Sequence, residues 1–263
     1  MTHSPVLGVI PARLGSERLP RKPLQLLAGR PLIEWVWRNA RRIGTFDAIV
    51  VATDSEEIAS ACRGFGAEVE MTSADHPSGT DRVAEVATRR RFRGYDVIVN
   101  VQGDEPFLEA DHVARAVELV RGGWDVGTVA TPVRTVDAWR DPAVVKVVRS
   151  EDGGALYFSR APIPFVRDGE PPETDLASAA FLRHVGLYSY SRDALLRWVA
   201  LPVGELERRE RLEQLRPLAA GISIGVAVVE SAAPGVDTPA DAAWAETRIR
   251  SDHPTDAVES MSA

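Results

Sequence analysis

The fold is decided first by the stretch Val6-Leu7-Gly8-Val9-Ile10-Pro11-Ala12-Arg13-Leu14-Gly15-Ser16-Glu17-Arg18-Leu19-Pro20-Arg21-Lys22-Pro23-Leu24. Its first five residues are uniformly apolar, which predicts a strand, Val6–Ile10, that is covered on both faces. The loop after this strand holds four basic residues, three prolines and a Gly-Ser pair. Ligands of open α/β sheets bind beyond the carboxyl ends of the strands, which is where this loop lies. Guanidinium groups and backbone amides in a proline-stiffened loop favour a bound polyphosphate.

The chain up to residue 130 alternates short β-branched runs with helical patterns. The further predicted strands are Ala48–Ala52, Glu68–Met71, Val97–Val101 and Val126–Ala130. The predicted helices are Leu32–Ile43, a helix capped by Ser55 that ends near Phe65, Asp81–Arg91 and Asp111–Val120. This alternation predicts an α/β fold, in which a mostly parallel sheet is buried between helical layers.

After Pro132 the pattern changes. The predicted elements are a hairpin of Val144–Arg149 and Ala155–Ser159, a Pro/Gly/acid-rich loop at Pro162–Ala177, a strand at His184–Tyr190, helices at Arg192–Ala200 and Glu205–Ala219, and a closing strand and helix at Gly225–Val229 and Asp241–Arg250. We predict one domain over residues 1–250, which includes a smaller segment at about 155–200, and a flexible polar tail over 251–263. The loop is too long for a mere connector, and it is interpreted as a mobile lid or a dimer rim.

Composition narrows the classes of function. The chain has 263 residues, and 31 basic against 38 acidic residues give a formal charge of −7. A surface of that sign repels nucleic acid as a whole, so an anion site has to be a local basic patch. Cys62 is the only cysteine, which excludes an intrachain disulfide and a cysteine-based zinc site. No signal peptide pattern and no membrane-spanning apolar run is found, so we expect a cytoplasmic protein without membrane insertion.

The basic loop does not fit two common phosphate-binding patterns. It contains neither Gly-x-Gly-x-x-Gly nor a Gly-Lys-Ser/Thr loop, which disfavours a dinucleotide oxidoreductase and a P-loop ATPase. A solvated basic connector is the structural alternative to a binding loop.

The motifs of this chain resemble, in order, those of the CMP-Kdo synthetases (3-deoxy-manno-octulosonate cytidylyltransferases). The blocks that carry the resemblance are Ile10-Pro11-Ala12-Arg13, Arg18-Leu19-Pro20, Lys22-Pro23-Leu24, Ala52-Thr53-Asp54, Ser78-Gly79-Thr80-Asp81-Arg82, Val99 to Pro106, Val144 to Val148, Ala155 to Pro164, Phe181 to Gly186, Leu212 to Arg216 and Gly235 to Pro239. Any one block alone would be weak evidence, whereas together they are specific.

This resemblance implies a fold and a reaction. The fold is a three-layer nucleotidyltransferase (Rossmann-like) domain with a smaller inserted segment for sugar binding and dimerisation. The reaction joins CMP from CTP to an acidic 2-keto-3-deoxy sugar, Kdo, and releases pyrophosphate, and the product feeds lipopolysaccharide assembly. A homodimer is expected. The alternatives are an enzyme for an amino-substituted Kdo or a sialic acid, and an inactive nucleotide-binding regulator.

Two aspartates are candidates for a metal site. Asp104 directly follows an apolar strand, so it faces the basic loop at the carboxyl edge of the sheet, where a carboxylate can hold a cation against phosphate oxygens. Its alternative role is a turn before Pro106. Asp237 has a similar alternative, since Asp or Thr before a helix that begins with proline is a standard cap, and without the resemblance Asp237 would be assigned to the cap. The resemblance implies that Asp104 and Asp237 bind Mg²⁺, and that Arg13 and Lys22 hold the triphosphate.

The remaining site residues rest mostly on the resemblance. The catalytic set is Arg13, Lys22 and Asp104, and the nucleotide-binding set is Pro11, Ala12, Arg13, Lys22, Ser78, Gly79, Arg82 and Gln102. The sugar-binding set is Gln102, Arg160, His184, Tyr188, Glu213 and Gln214. Cytosine needs acceptors for its amine and donors for its carbonyl, which backbone groups and an arginine can supply. The structural alternatives are helix caps in the segment at 78–82, a satisfied core histidine at 184, and surface residues at 213 and 214.

Overall fold

The computed structural model describes residues 4–15, 18–167, 169–176 and 178–252. The strands are β1 (Val6–Ala12), β2 (Leu26–Leu27), β3 (Arg30–Pro31), β4 (Ala48–Thr53), β5 (Val69–Met71), β6 (Val97–Asn100), β7 (Val126–Pro132), β8 (Lys146–Arg149), β9 (Ala155–Ser159), β10 (Leu182–Ser191) and β11 (Ile224–Val228). The helices are α1 (Leu32–Arg42), α2 (Glu56–Gly64), α3 (Gly79–Thr88), α4 (Ala110–Arg121), α5 (Val136–Arg140), α6 (Glu173–Leu176), α7 (Arg192–Ala200), α8 (Glu205–Glu210), α9 (Leu215–Ala219) and α10 (Pro239–Asp252). None of the helices in these ranges combines the length and apolarity needed to cross a bilayer.

The chain divides into two compact units. We call the first the cleft unit; it comprises Val6–Gly94, Asn100–Glu109 and Ala233–Ala263. We call the second the hairpin unit; it comprises Met1–Pro5, Tyr95–Val99 and Ala110–Ala232. The segment predicted at about 155–200 lies within the hairpin unit.

The cleft unit is built on parallel strands. β1 pairs with β4 from Leu7 opposite Ala48 to Ala12 opposite Thr53, and β4 pairs in parallel with β5. The first five residues of β1 are fully buried, as expected for a strand that is covered on both faces. The helix α2 begins where the sequence predicts, because the Ser55 hydroxyl accepts a hydrogen bond from Ile58 N at 3.4 Å.

Backbone contacts hold the loop after Asn100 against the end of β1. Val101 N donates to Val9 O at 2.9 Å, and two residues later Gly103 passes directly over the backbone of Pro11. A Cβ atom on Gly103 would lie 2.7 Å from Pro11 O, so a residue with a side chain would push the two segments apart. This close approach brings Asp104 next to the basic loop.

The hairpin unit has a mixed sheet. Its strands follow the order β11-β7-β10-β6, with β11 parallel and β10 antiparallel to β7. The predicted hairpin is present: β8 pairs with β9 from Lys146 opposite Ser159, and β8 also pairs with β10. The turn between them contains Gly153 at φ +96°, a left-handed conformation that favours glycine.

Three expectations about the second half of the chain differ from the structure. Glu205–Ala219 is not one helix but the pair α8 and α9, separated at Arg211, whose φ is +52°. A continuous helix would need a backbone N–H at Pro217, which proline lacks. The polar tail does not begin at Ser251, because α10 continues to Asp252; the rest of the predicted tail lies outside the described residues.

The third correction concerns the predicted loop at Pro162–Ala177. It contains the short helix α6, and Leu176 is fully buried in an apolar cluster with Val133, Trp139 and Phe181. The Trp139 indole also donates to Ile163 O at 3.3 Å. The loop is therefore anchored near both of its ends, while Phe165 between these anchors is 82 % exposed. Asp168 and Ala177 lie outside the described residues.

Candidate active site

A cavity of about 820 Å³ opens in the cleft unit, which is within the size range of small-molecule sites. Its lining comes from the end of β1, the basic loop, the start of α3, the loop after β6 and the segment before α10. The lining residues are Pro11, Ala12, Arg13, Gly15, Arg18, Lys22, Pro23, Ser78, Gly79, Arg82, Gln102, Gly103, Asp104 and Asp237. All the predicted nucleotide-binding residues and both predicted metal ligands are thus brought to one cavity.

Lys22 joins the two candidate metal ligands. Its ammonium Nζ lies 2.6 Å from Asp104 Oδ2 and 2.9 Å from Asp237 Oδ1. The two carboxylates, which are far apart in sequence, are therefore within reach of a single cation. Burial lowers the pKa of Lys22, but the two carboxylates outweigh this effect and hold it above the usual 10.5. Lys22 is consequently charged at neutral pH.

The backbone around Lys22 is held in a tight turn. Residues Lys22–Leu24 form a single 3₁₀ turn with Pro23 inside it, and Gln25 N donates to Lys22 O at 3.1 Å. The chain enters this turn through Arg21, which has a φ of +57°. A left-handed arginine is uncommon, so the local conformation is fixed by its surroundings. The side chain of Lys22 thereby starts from a defined position.

The helix cap before α10 is made by Thr238 and not by Asp237. The Thr238 hydroxyl accepts from Asp241 N at 3.2 Å, while Asp241 Oδ2 accepts from Thr238 N at 2.8 Å. This reciprocal pair is a capping box. The carboxylate of Asp237 is left to pair with Lys22 and, at 3.0 Å, with Arg18. Arg18 belongs to the quoted motif, but sequence reasoning did not include it among the site residues.

Asp237 and Asp104 are brought together by their backbones. Val236 N donates to Asp104 O at 2.8 Å, so the segment before α10 runs alongside the loop after β6. Within the described residues no group of three or more histidine, cysteine or acidic side chains is arranged to hold a metal. Two carboxylates are nevertheless sufficient for Mg²⁺, which usually takes one or two protein carboxylates together with waters and substrate phosphates.

The start of α3 forms another part of the cavity wall. The Ser78 hydroxyl accepts from Asp81 N at 3.3 Å and donates to Asp81 Oδ2 at 2.6 Å, so it caps the helix. The helix-cap role and a position in the cavity wall are compatible, since Ser78 caps α3 and also lines the cavity. Arg82, one turn later, is only 3 % exposed and is bound to Thr72 and Asp54.

Most of the predicted sugar-binding residues lie in the hairpin unit. His184 and Tyr188 are neighbours on β10, with ring centroids 5.3 Å apart, and the ring of Phe158 packs against His184 at 5.1 Å. Burial raises the pKa of Tyr188 well above 10, and electrostatic repulsion from Tyr190 and Glu213 raises it further. Glu213 is exposed and lies in electrostatic reach of Tyr188, whereas Gln214 is buried at the start of α9.

His184 is held as a neutral imidazole. Its Nε2 lies 3.0 Å from the Thr128 hydroxyl, which donates its one proton to Leu187 O at 2.7 Å. The same hydroxyl lies 3.3 Å from Val185 O, and its donation to a carbonyl is compatible with an imidazole that carries its proton on Nε2. Burial lowers the pKa of His184 from 6.5 to about 3. His184 is thus uncharged at neutral pH.

Arg160 and a buried lysine secure the end of β9. The Arg160 guanidinium donates to Glu210 O at 2.8 Å and to Pro142 O at 2.9 Å. Lys146 is fully buried, and its Nζ donates to the carbonyls of Asp141, Val144 and Arg160 at 2.9, 2.6 and 2.7 Å. Burial lowers the pKa of Lys146. Sequence reasoning quoted Lys146 within a motif and gave it no role.

The chain belongs to the cytidylyltransferase family, since the family model described as Cytidylyltransferase matches residues 7–224. Within that family it is similar to proteins with a more specific name. The 3-deoxy-manno-octulosonate cytidylyltransferase of Gemmatimonas aurantiaca is 54 % identical over 246 residues, which cover 92 % of this chain and 93 % of that protein. The protein of the same name from Acinetobacter baumannii, strain ATCC 17978, is 46 % identical over 236 residues, with 89 % and 93 % covered.

Two solved structures are also similar to this chain. The structure of CMP:2-keto-3-deoxy-manno-octonic acid synthetase complexed with CTP matches with a TM-score of 0.86 and 37 % identity, covering 95 % of this chain and 100 % of that one. A 4-diphosphocytidyl-2C-methyl-D-erythritol synthase from Anaerococcus prevotii shares the fold, with a TM-score of 0.62 and 11 % identity over 94 % and 99 % of the chains. The predicted resemblance to the CMP-Kdo synthetases and the predicted α/β nucleotidyltransferase fold are both confirmed.

Proposed function

We propose that this chain is a cytidylyltransferase that transfers CMP from CTP to 3-deoxy-manno-octulosonate and releases pyrophosphate. The observation that carries the proposal is the cavity of the cleft unit, in which Arg13, Arg18 and Lys22 accompany the convergent carboxylates Asp104 and Asp237. Such a set suits a polyphosphate with a bound divalent cation. The identity of the sugar in this proposal is taken from the names of the relatives.

In the proposed reaction the C2 hydroxyl of the sugar attacks the α-phosphorus of CTP. A new oxygen–phosphorus bond forms, and the bond from the α-phosphorus to the oxygen bridging the β-phosphorus breaks. Pyrophosphate leaves with that electron pair, and the hydroxyl proton passes to water. Transfers of this kind depend on positioning and on charge neutralisation rather than on a covalent intermediate with the protein.

Arg13 and Lys22 are the proposed triphosphate ligands. Arg13 is exposed at the cavity and makes no ion pair within the described part of the chain, so its donors are available for phosphate oxygens. Lys22 would exchange at least one of its carboxylate contacts for a phosphate contact when CTP binds. Asp104 and Asp237 are the proposed ligands of Mg²⁺, which would take a place between carboxylates that the Lys22 ammonium spans in this structure. When bound, Mg²⁺ would neutralise charge that develops on the phosphate oxygens.

The nucleoside and the sugar are assigned to different groups of residues. We assign Pro11, Ala12, Ser78, Gly79 and Arg82 to the nucleoside. Arg160, His184, Tyr188, Glu213 and Gln214 are assigned to the sugar, with Gln102 serving either substrate. Neutral donors and acceptors together with an arginine suit a sugar that carries hydroxyls and one carboxylate.

Two further parts of the proposal concern assembly and biological role. We propose a homodimer whose interface would cover some of the large apolar side chains that are exposed in the hairpin unit, among them Leu156 at 59 % and Phe165 at 82 %. Sedimentation of the purified protein measures this directly. The product would be the activated sugar for lipopolysaccharide assembly, which a separate transferase would use, and the reaction would take place in the cytoplasm.

Pyrophosphate release tests the proposed reaction. We would assay four nucleoside triphosphates, each with Kdo, an amino-substituted Kdo and a sialic acid, with and without Mg²⁺. We expect release only with CTP and a 2-keto-3-deoxy acid of the Kdo type, and only with the metal. Equal turnover with ATP, or a preference for the sialic acid, would refute the assignment. The Asp104→Asn variant is the control for a contaminating activity.

A further inference from the structure

Arg82 is a buried cation in the wall of the cavity. Its side chain is 3 % exposed, yet it lines the cavity at the start of α3. A buried guanidinium is costly unless it is paired and hydrogen-bonded. Its Nη1 donates to the Thr72 hydroxyl, and its Nη2 lies 3.3 Å from Asp54 Oδ1. These two groups therefore determine the orientation of the guanidinium.

Asp54 is itself held in place from both sides. It directly follows β4, whose last residue, Thr53, is in register with Ala12 of the cavity wall. Ser55, the next residue, donates from its N–H to the Thr53 hydroxyl at 3.1 Å and caps α2. Within the described residues, Oδ1 of Asp54 is buried and has no hydrogen bond of its own. The group of opposite charge that faces it is the guanidinium of Arg82.

We propose that Asp54 is a positioning residue that fixes the Arg82 guanidinium for contact with the cytosine base. The proposal rests on the proposed function and deepens it. A guanidinium has five N–H donors in a rigid plane, and Thr72 and Asp54 leave donors over for a ligand. Cytosine offers acceptors in its carbonyl oxygen and in its unprotonated ring nitrogen. A donor that is fixed before the ligand binds loses less conformational entropy on binding.

The charge balance favours the base over the triphosphate as the partner of Arg82. The charge of Arg82 is compensated by Asp54 inside the protein, so it adds little net attraction for an anion. Arg13 has no such carboxylate partner in the described part of the chain and is exposed at the same cavity. The neutralised guanidinium thus suits a neutral base, and the uncompensated one suits phosphate oxygens.

The test compares the binding of CTP and of pyrophosphate to the full chain by calorimetry in the presence of Mg²⁺. The variant is Asp54→Asn, which keeps the shape of the side chain and removes its charge. We expect the Kd for CTP to rise about tenfold, because the proposed charge-assisted hydrogen bond from Arg82 to cytosine is weakened. The Kd for pyrophosphate should change by less than about twofold. The matched control is Glu56→Gln, which removes a charge two residues away that pairs with Arg63 on the exposed side of α2. It should leave both constants unchanged.

A second variant keeps the test valid if Asp54→Asn folds poorly. Arg82→Lys preserves the positive charge facing Asp54 and removes the planar set of donors. This variant should also weaken the binding of CTP more than that of pyrophosphate. The double variant should have a Kd for CTP no higher than that of the single variant that binds CTP less tightly. Unchanged CTP binding in Asp54→Asn, or equal weakening of CTP and pyrophosphate, would overturn the inference. Failure of the unmodified protein to bind CTP would overturn the proposed function itself.

Discussion

Replacing Asp237 by asparagine should separate a role in the active site from a role in folding. Asn is nearly isosteric with Asp and removes one negative charge from the proposed Mg²⁺ site. We expect kcat/KM to fall on the order of 100-fold, the loss typical when one group that stabilises transition-state charge is removed. Pyrophosphate release at saturating Kdo and varied CTP measures this loss.

The effect on folding should be small, and the structure explains why. Asp237 is 40 % exposed, and its partners are Lys22 and the largely exposed Arg18. Exposed ion pairs contribute about 0–1 kcal/mol each, and Lys22 keeps Asp104 as a partner. The free energy of unfolding should therefore fall by less than about 1 kcal/mol. For a chain of this size that corresponds to a shift in Tm of no more than about 4 °C.

Thr238→Ala is the matched control, because Thr238 caps α10 and makes none of the proposed ligand contacts. Loss of the cap should lower the free energy of unfolding by about 1 kcal/mol while activity stays within about twofold. If Asp237→Asn retains the activity of the unmodified protein, Asp237 is not part of the active site. If Asp237→Asn lowers Tm more than Thr238→Ala does, Asp237 is a structural residue, which would also refute the proposed role.

Two further predictions concern buried titratable groups of the hairpin unit. The pKa of His184 is about 3 in the folded chain against 6.5 unfolded, so between these values the unfolded chain binds a proton that the folded chain excludes. Stability should therefore fall as pH drops from about 6.5 toward 3, and His184→Gln should reduce the change in Tm over this range; an unaltered pH profile would contradict the burial effect. Lys146→Met should lower the free energy of unfolding by roughly 2–4 kcal/mol, because three carbonyls lose their donor. Denaturant titration measures this, with the exposed Arg208→Met as the control, and a loss below about 1 kcal/mol would refute it.

The convergence of Arg13, Asp104 and Asp237 on the cavity could be predicted from sequence, because each follows a strand or precedes a helix of the α/β fold. Arg13 and Asp104 come after apolar strands, and the carboxyl ends of parallel strands share one edge. Gly103 also has a local reason, since its backbone approaches Pro11 too closely for a side chain. Such positions depend on chain order and sheet direction, which the sequence pattern carries.

Other features depend on geometry that the pattern does not carry. From its own residues the sequence favoured Asp237 as a cap, because the side chain of either Asp237 or Thr238 can accept a hydrogen bond from the first turn of α10. The difference lies in which residue aligns with Asp241. The pairing of Asp54 with Arg82 was likewise out of reach, because it joins the residue after β4 to the first turn of α3.

A signal for two important residues was nonetheless present in the composition. Lys22 and Lys146 are the only lysines in the sequence, and every other basic residue of the charge count is an arginine. Arginine serves well in the exposed helix pairs of this chain, such as Arg115 with Asp111. A compact ammonium with three donors is needed where a cation must fit between two carboxylates, as at Lys22, or beneath three converging carbonyls, as at Lys146. A guanidinium spreads its donors over a plane and does not bring three of them to one point, so the two lysines mark positions where the geometry of the donors, and not charge alone, decides the residue.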